Sequence, residues 1–228
     1  MHAGSSLNQF DAILVPRGAE YRAVRRGLKR LPPTPPIWAI PIGTRATQQY
    51  LQEAIATMPV SRVLLVGLCG SLQSHQGVGD LVLYDTCLYS DASGVRQLSC
   101  DPQLTAMLAE RWGQQAARVR GLTRDSLVVS AAQKRQLGQV YGADVVDMEG
   151  FAVLESLNAI GAAVAIVRVV SDDDRFDLPD LSAAIAVEGR LKPLPLTLKL
   201  LGQPRAAARL IRGSLKGLNV LQALGASL

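Results

Sequence analysis

The chain has 228 residues, 48% of them hydrophobic and 19% charged, enough for one α/β domain with a substantial core. No apolar run approaches the ~20 residues of a membrane-spanning helix, and the opening MHAGSSLNQFD lacks the basic-then-apolar order of a signal peptide, so a soluble cytoplasmic protein is expected. The formal charge of +5 lies in the tail: all seven charged residues after Glu188 are basic, whereas residues 1–188 carry 17 basic and 19 acidic groups, which excludes nucleic-acid binding by the main body.

Cys69, Cys87 and Cys100 are odd in number and irregularly spaced, which reads as free thiols. With only His2 and His75, no metal constellation is present in the sequence, and no metal or organic cofactor is expected. In chain order, Phe10 to Val15 predicts a buried strand that Pro16 ends. Gly18 then leads into a helix with Val24, Leu28 and Leu31 on one face and Glu20 and Arg22 in its first turn. A strand, tight turn and helix start is a common seat for an anion or polar ligand. The prolines of LPPTPP make a stiff connector to a second strand, Ile37 to Ile42. Gly43 opens the next helix, with Thr44 and Arg45 in its first turn.

Arg62 to Gly67 is the clearest central strand, and it runs into Leu68-Cys69-Gly70-Ser71-Leu72. Gly67 and Gly70 let backbone approach a ligand where a Cβ would obstruct it. After Val78-Gly79-Asp80 come a strand from Leu81 to Tyr89, a helix from Pro102 to Trp112 and an edge strand from Ala117 to Leu122. Leu127 to Ser130 precedes a helix from Ala131. Val145-Val146 is a short strand that delivers Asp147-Met148-Glu149 to the start of a helix from Phe151 to Ile160. Gly161 breaks that helix, and the β-branched run Ala162 to Val170 ends on Ser171-Asp172. A carboxylate at the carboxyl end of a buried strand, where open α/β sheets place their ligands, is a strong catalytic candidate. Asp173 and Asp174, in the loop beyond, read as solvated charges.

Asp147-Met148-Glu149 followed by Arg168-Val169-Val170-Ser171-Asp172 resembles the paired signature of the nucleoside phosphorylase and nucleosidase superfamily. The segment from Gly67 to Leu72, closed by Val78-Gly79-Asp80, is similar to the same family. The resemblance implies a single three-layer α/β domain with a central twisted mixed sheet flanked by helices. It also implies cleavage of the N-glycosidic bond of a purine nucleoside. Met148 and Glu149 would hold the ribose and Asp172 would carry or share the proton at purine N7, beside Ser171. Glu20 would order an attacking water in a hydrolase. Arg22 or Arg45, with the backbone at Gly43, Gly67 and Gly70, would hold phosphate as co-substrate in a phosphorylase. The segment around Val129, Ser130 and Ala131 would lie at the base. Where bacterial purine phosphorylases place an Arg and a Ser on phosphate, this chain has Leu65 and Leu68. Family relatives assemble as dimers or larger, so a homo-oligomer is expected.

Arg205, Arg209, Arg212 and Lys216 recur at spacings of four, three and four, with Leu210, Ile211, Leu215, Leu218 and Leu221 on the other side. Such a helix docks on its own core or lies on an anionic membrane surface, here through residues 205–224. The chain thus divides into a domain, 1–188, and a basic helical extension, 189–228. The DLP turn and Arg-rich tail are similar to the hopanoid-associated phosphorylases, implying a lipid-substituted adenosine such as adenosylhopane. Two other readings stay open: a nucleoside-binding module without catalysis, and a dinucleotide-binding protein, although no G-x-G-x-x-G follows the first strand.

Overall fold

The computed structural model describes residues 9–29, 34–56, 59–91, 94–179 and 202–227. The connector's Leu31–Pro33, the helix start after Pro179 and the first part of the extension, residues 189–201, lie outside the described residues. One eight-stranded mixed sheet carries helices on both sides. Its strands are β1 (Ala12–Pro16), β2 (Ile37–Ile40), β3 (Arg62–Ser71), β4 (Leu81–Asp91), β5 (Gly94–Ser99), β6 (Ala116–Thr123), β7 (Val145–Asp147) and β8 (Ala163–Asp172). The helices are α1 (Ala19–Leu28), α2 (Thr44–Ile55), α3 (Pro102–Trp112), α4 (Ala131–Tyr141), α5 (Gly150–Asn158) and α6 (Pro204–Ser227).

The pairings close a circuit. β3 pairs with β8 in parallel and with β7 antiparallel; β8 pairs with β4, β4 with β6, and β6 with β7. β1 and β2 extend the sheet from β3, and β5 extends it from β4. β6, expected as an edge strand from Ala117 to Leu122, is not one, because it has neighbours on both sides. The true edges are β2 and β5. β3 runs four residues past the predicted end, to Ser71, and β8 two residues further, to Asp172, so both acid-bearing segments terminate beside β3.

The core sits on both faces of this sheet. One layer gathers Leu14, Val63, Leu65, Phe151, Leu154, Val164 and Ile166 under α2 and α5. The other gathers Ile13, Leu64, Val66, Val167 and Val169 with Val24 and Leu28 of α1 and Leu221 and Leu224 of α6. Strands buried on both faces read as continuous apolar runs, which is why β1, β3 and β8 are legible in the sequence.

The extension docks, and part of the predicted face meets the protein: Leu221 is buried, Leu218 packs on the core and Leu210 lines a cavity, but the helix has turned so that glycines share the contact. Residues of α6 turned to the protein are Ala207, Gly213, Gly217, Leu221 and Leu224, whereas Ile211 and Leu215 are 47% and 55% exposed. Gly213 and Gly217 lie so close to β8 and β3 that a Cβ at 213 would strike the Ser171 carbonyl, and one at 217 would stand 2.8 Å from Leu68 Cδ2. Further along, Gly225 crosses α1 at Gly27 and Val24. Lys216 then reaches back to donate to the Val78 carbonyl at 2.6 Å.

Candidate active site

A cavity of about 250 Å³ opens where β3, β7 and β8 end together. That is near the lower end of the ~300–1,000 Å³ typical of small-molecule sites. Glu20, Gly70, Met148, Glu149, Ser171 and Asp172 all line it, so both predicted acids face one space. Its remaining walls come from Ile42, Leu68, Cys69, the 126–128 segment, Leu178, and Leu210 and Ser214 of α6.

At one end, carboxylates converge on Arg168, which is fully buried in β8. Its Nη2 lies 3.0 Å from Asp147 Oδ2 and 3.2 Å from Glu149 Oε2. Burial lowers the pKa of this guanidinium, but Asp147 and Glu149 more than reverse that and hold it firmly charged. Asp147 is fixed in turn, accepting from the Thr123 hydroxyl at 2.6 Å and the Gly150 amide at 3.1 Å. Glu149 accepts at its other oxygen from the Gly43 amide, 3.0 Å away. Gly43 sits at φ +95°, a conformation L side chains rarely adopt, so this residue is glycine for a backbone reason. Burial raises the Glu149 carboxyl above its ordinary range, with Arg168 opposing and Asp147 adding to the rise.

Glu20, from the first turn of α1, closes this end. Its Oε2 accepts from the Leu68 amide at 2.7 Å. Burial pushes its pKa up to about 8, against the pull of Arg168 and with help from Glu149. Gly67 does not line the cavity, yet a Cβ there would collide with Arg168 Nη1 and stand 2.7 Å from Glu20 Oε2. Glu20 and Arg168 thus flank one point, and Arg168 Nη1 has no hydrogen-bond partner among the described residues.

At the other end, the pairing of β3 with β8 slips between Cys69 and Gly70. Such a bulge re-aims side chains, and here it leaves Ser171 without a partner opposite and sets Asp172 against Gly70. The Ser171 hydroxyl lies 2.8 Å from Asp172 Oδ1 and 3.1 Å from the Cys69 carbonyl. A Cβ at Gly70 would stand 2.8 Å from Asp172 Oδ2, so only glycine leaves that carboxylate room. Oδ2 is ion-paired with Lys134 of α4, whose ammonium also donates to the Asp173 carbonyl at 2.9 Å. Burial raises the Cys69 thiol well above its ordinary range, keeping it neutral and unsuited to be a nucleophile.

Besides Gly43 and Gly67, which do not line the cavity, three predicted ligands stand elsewhere. Arg22 and Arg45 are exposed on α1 and α2 and do not reach the cavity, because each points away from the buried stripe of its helix. Ser130 accepts from the Gln133 amide at 3.4 Å as the N-cap of α4, and it lines a neighbouring cavity with Arg135, Phe176 and Arg209. Ser126, Leu127 and Val128 take the wall position expected of residues 129–131. Asp174 is buried rather than solvated, and its Oδ1 finds no partner among the described residues. Arg168 and Lys134 escaped the sequence reading. A charge inside an apolar strand, as in VAIVRVV, was the available signal for Arg168; Lys134, among the polar residues of AAQKRQ, offered none.

Among solved structures, 5'-methylthioadenosine/S-adenosyl homocysteine nucleosidase of Helicobacter pylori superposes with a TM-score of 0.72 at 16% identity, covering 95% of this chain and 96% of that one. Futalosine hydrolase of the same organism superposes with a TM-score of 0.65 at 17% identity, covering 90% and 96%. At these identities the likeness is one of fold. In sequence, the chain is 29% identical to futalosine hydrolase of Thermus thermophilus over 150 residues, 58% of this chain and 66% of that protein. The family model of the phosphorylase superfamily matches residues 17–188, from just ahead of Glu20 to beyond Asp172, and the chain belongs to that superfamily.

Proposed function

We propose that the protein hydrolyses the N-glycosidic bond of a purine nucleoside of the adenosine type, substituted at the 5' position. Breaking this bond leaves cationic character on the ribose and negative charge on the base, so catalysis needs an acid at the base and anionic stabilisation of the sugar. The carrying observation is that Glu149 and Asp172 line one cavity, each held by a different cation. Glu149 receives the ribose hydroxyls beside Met148, and Asp172, braced by Ser171, meets purine N7. A module without catalysis has no need of two carboxylates in one cavity, each paired with its own cation. Replacing Asp172 by Asn is expected to lower base release by about a hundredfold or more. Unchanged release would refute the assignment.

Water is favoured over phosphate as the nucleophile. Glu20, Asp147, Glu149 and Asp172 all line the cavity, and the guanidinium nearest them, Arg168, is already committed to two carboxylates. A phosphate dianion there would be buried beside the carboxylates of Asp147 and Asp172, a cost of several kcal/mol. Glu20 and Arg168 Nη1, which has no hydrogen-bond partner among the described residues, instead suit a water, with Glu20 taking its proton. The relatives named above as hydrolase and nucleosidase support the same reading. Incubation with adenosine, methylthioadenosine and S-adenosylhomocysteine should release adenine at a rate independent of added phosphate; a rate that requires phosphate defeats hydrolysis.

An apolar 5' group, up to the polycyclic lipid of adenosylhopane, is the finer reading, supported by Ile42, Leu178 and Leu210 in the cavity wall. The outer face of α6 fits contact with a membrane carrying such a substrate: exposed Ile211 and Leu215 stand among Arg205, Arg209, Arg212 and Lys216. Co-sedimentation with anionic liposomes should be lost on changing both Ile211 and Leu215 to Ser. Negligible binding by the unchanged protein removes the membrane from the account.

A further inference from the structure

We propose that Lys134 is the positioning residue for the acid at the base end, holding the Asp172 carboxyl and supplying, through it, the proton the departing purine takes. This inference rests on the glycosidic-bond reading and deepens it.

Lys134 has no exposed surface, although it belongs to α4, a helix whose neighbouring residues Gln133 and Arg135 face outward. Burying an ammonium costs several kcal/mol unless partners meet it. Its described partners are two: the Asp172 carboxylate and the Asp173 carbonyl, successive groups at and just beyond the end of β8. α4 is pinned in the register that delivers it. Asp177, from the loop after β8, accepts the Ala131 amide at 2.7 Å, and Arg135 donates to the Asp174 carbonyl at 2.5 Å. Gly138 packs so closely on the Leu72 carbonyl that a Cβ would stand 2.7 Å from it. A charge set this deliberately under a cavity-lining carboxylate does more than balance it.

The geometry divides the labour on Asp172. Ser171 meets Oδ1 and Lys134 meets Oδ2, which fixes the plane of the carboxyl at the cavity wall. As the glycosidic bond breaks, its electron pair goes to the purine. N7 takes the proton through Asp172, Lys134 yields one to Asp172 and is left a neutral amine, and water adds to the ribosyl carbon while giving its proton to Glu20. Solvent restores both groups, so the sum is nucleoside plus water to base plus ribose.

A double-mutant cycle tests this, because residues acting as one unit lose activity non-additively. Turnover of the best adenosine-type substrate is measured for the wild type, Lys134→Met, Asp172→Asn and the double variant. Lys134→Met is expected to lower kcat by about 10- to 100-fold with KM changed less than about threefold, and the double variant to match Asp172→Asn alone. Where Lys134→Met fails to fold for want of a partner to Asp172, the double variant, which lacks both charges, carries the comparison with Asp172→Asn. A double variant about tenfold or more below Asp172→Asn, or a folded Lys134→Met within threefold of wild type, overturns the role of Lys134 alone. A wild type that cleaves no nucleoside overturns the glycosidic-bond reading and this inference with it.

Discussion

Glu20 ties chemistry and stability to one carboxyl. Burial sets its pKa at about 8, so through most of the neutral range it holds its proton and cannot take one from water. Base release, measured as kcat/KM from pH 5 to 9, should therefore climb about tenfold per pH unit below that value and level off above it. Glu20→Gln should lack this limb. The stability consequence has the opposite sign. A carboxyl whose folded pKa lies above its unfolded value gives a contribution that is complete below pH 4.5 and lost as pH rises through 8. Glu20→Gln should therefore melt higher than the wild type at pH 9, while the two converge near pH 4. A melting temperature that falls equally for both between pH 5 and 9 would remove the buried ionisation from the account. The sequence shows Glu20, Glu149 and Asp172 because first helical turns and strand ends are marked by glycines and apolar runs. It does not show which cation meets which acid, since Arg168 and Lys134 are brought there by pairing between strands and by the register of α4.

At the scale of elements, hydropathy periodicity marks α6 but only part of its buried face, for Leu221 is inward while Ile211 and Leu215 are exposed. Leucines carry the signal, yet the helix approaches β8 and β3 along Gly213 and Gly217, residues that hydropathy cannot weigh because what they contribute is the absence of a side chain. The same limit concealed β5: GVRQLS is an almost wholly exposed edge strand, with no burial pattern to read. Nor does the sequence of β6 show that both its edges are paired, since partners on either side are set by the sheet's circuit and not by the strand's own residues. The packing of α6 yields a direct prediction. Gly213→Ala drives a methyl into the Ser171 carbonyl, a backbone group with little freedom to yield, and should cost ~1–3 kcal/mol, as overpacking does. Gly202→Ala, with nothing within 4 Å of the added carbon, should leave the denaturation midpoint unchanged. Base release should fall with Gly213→Ala, because the displaced backbone carries Asp172.

Across the whole molecule, the circuit of strands explains why one rim collects the site. β3 pairs with both β7 and β8, so the acids they carry end beside its Gly67–Gly70 stretch, and α1 adds Glu20 because β1 lies on the edge of β3 opposite β8. α6 then lies across this rim. Its Leu210 and Ser214 form cavity wall, and its Leu221 and Leu224 pack with Val24 and Leu28 of α1 in the same layer as Val66 and Val167. The sequence divides into a domain ending at 188 and a helical extension, because the composition changes there from near-neutral to cationic. Composition marks the solvent-facing side of a segment, however, and α6 is basic outside while its inner face completes the core. A chain ended after residue 201 should accordingly lose more than catalysis. Taking α6 away uncovers the apolar face of α1 and the ends of β3 and β8, a loss of buried surface comparable to several large-to-small core substitutions at ~2–5 kcal/mol each, against a typical total stability of ~5–15 kcal/mol. The truncated protein should show no cooperative thermal transition by circular dichroism, and adding substrate should not restore one. A sharp transition within a few degrees of the intact chain would mean that the domain stands alone and that α6 serves only the substrate.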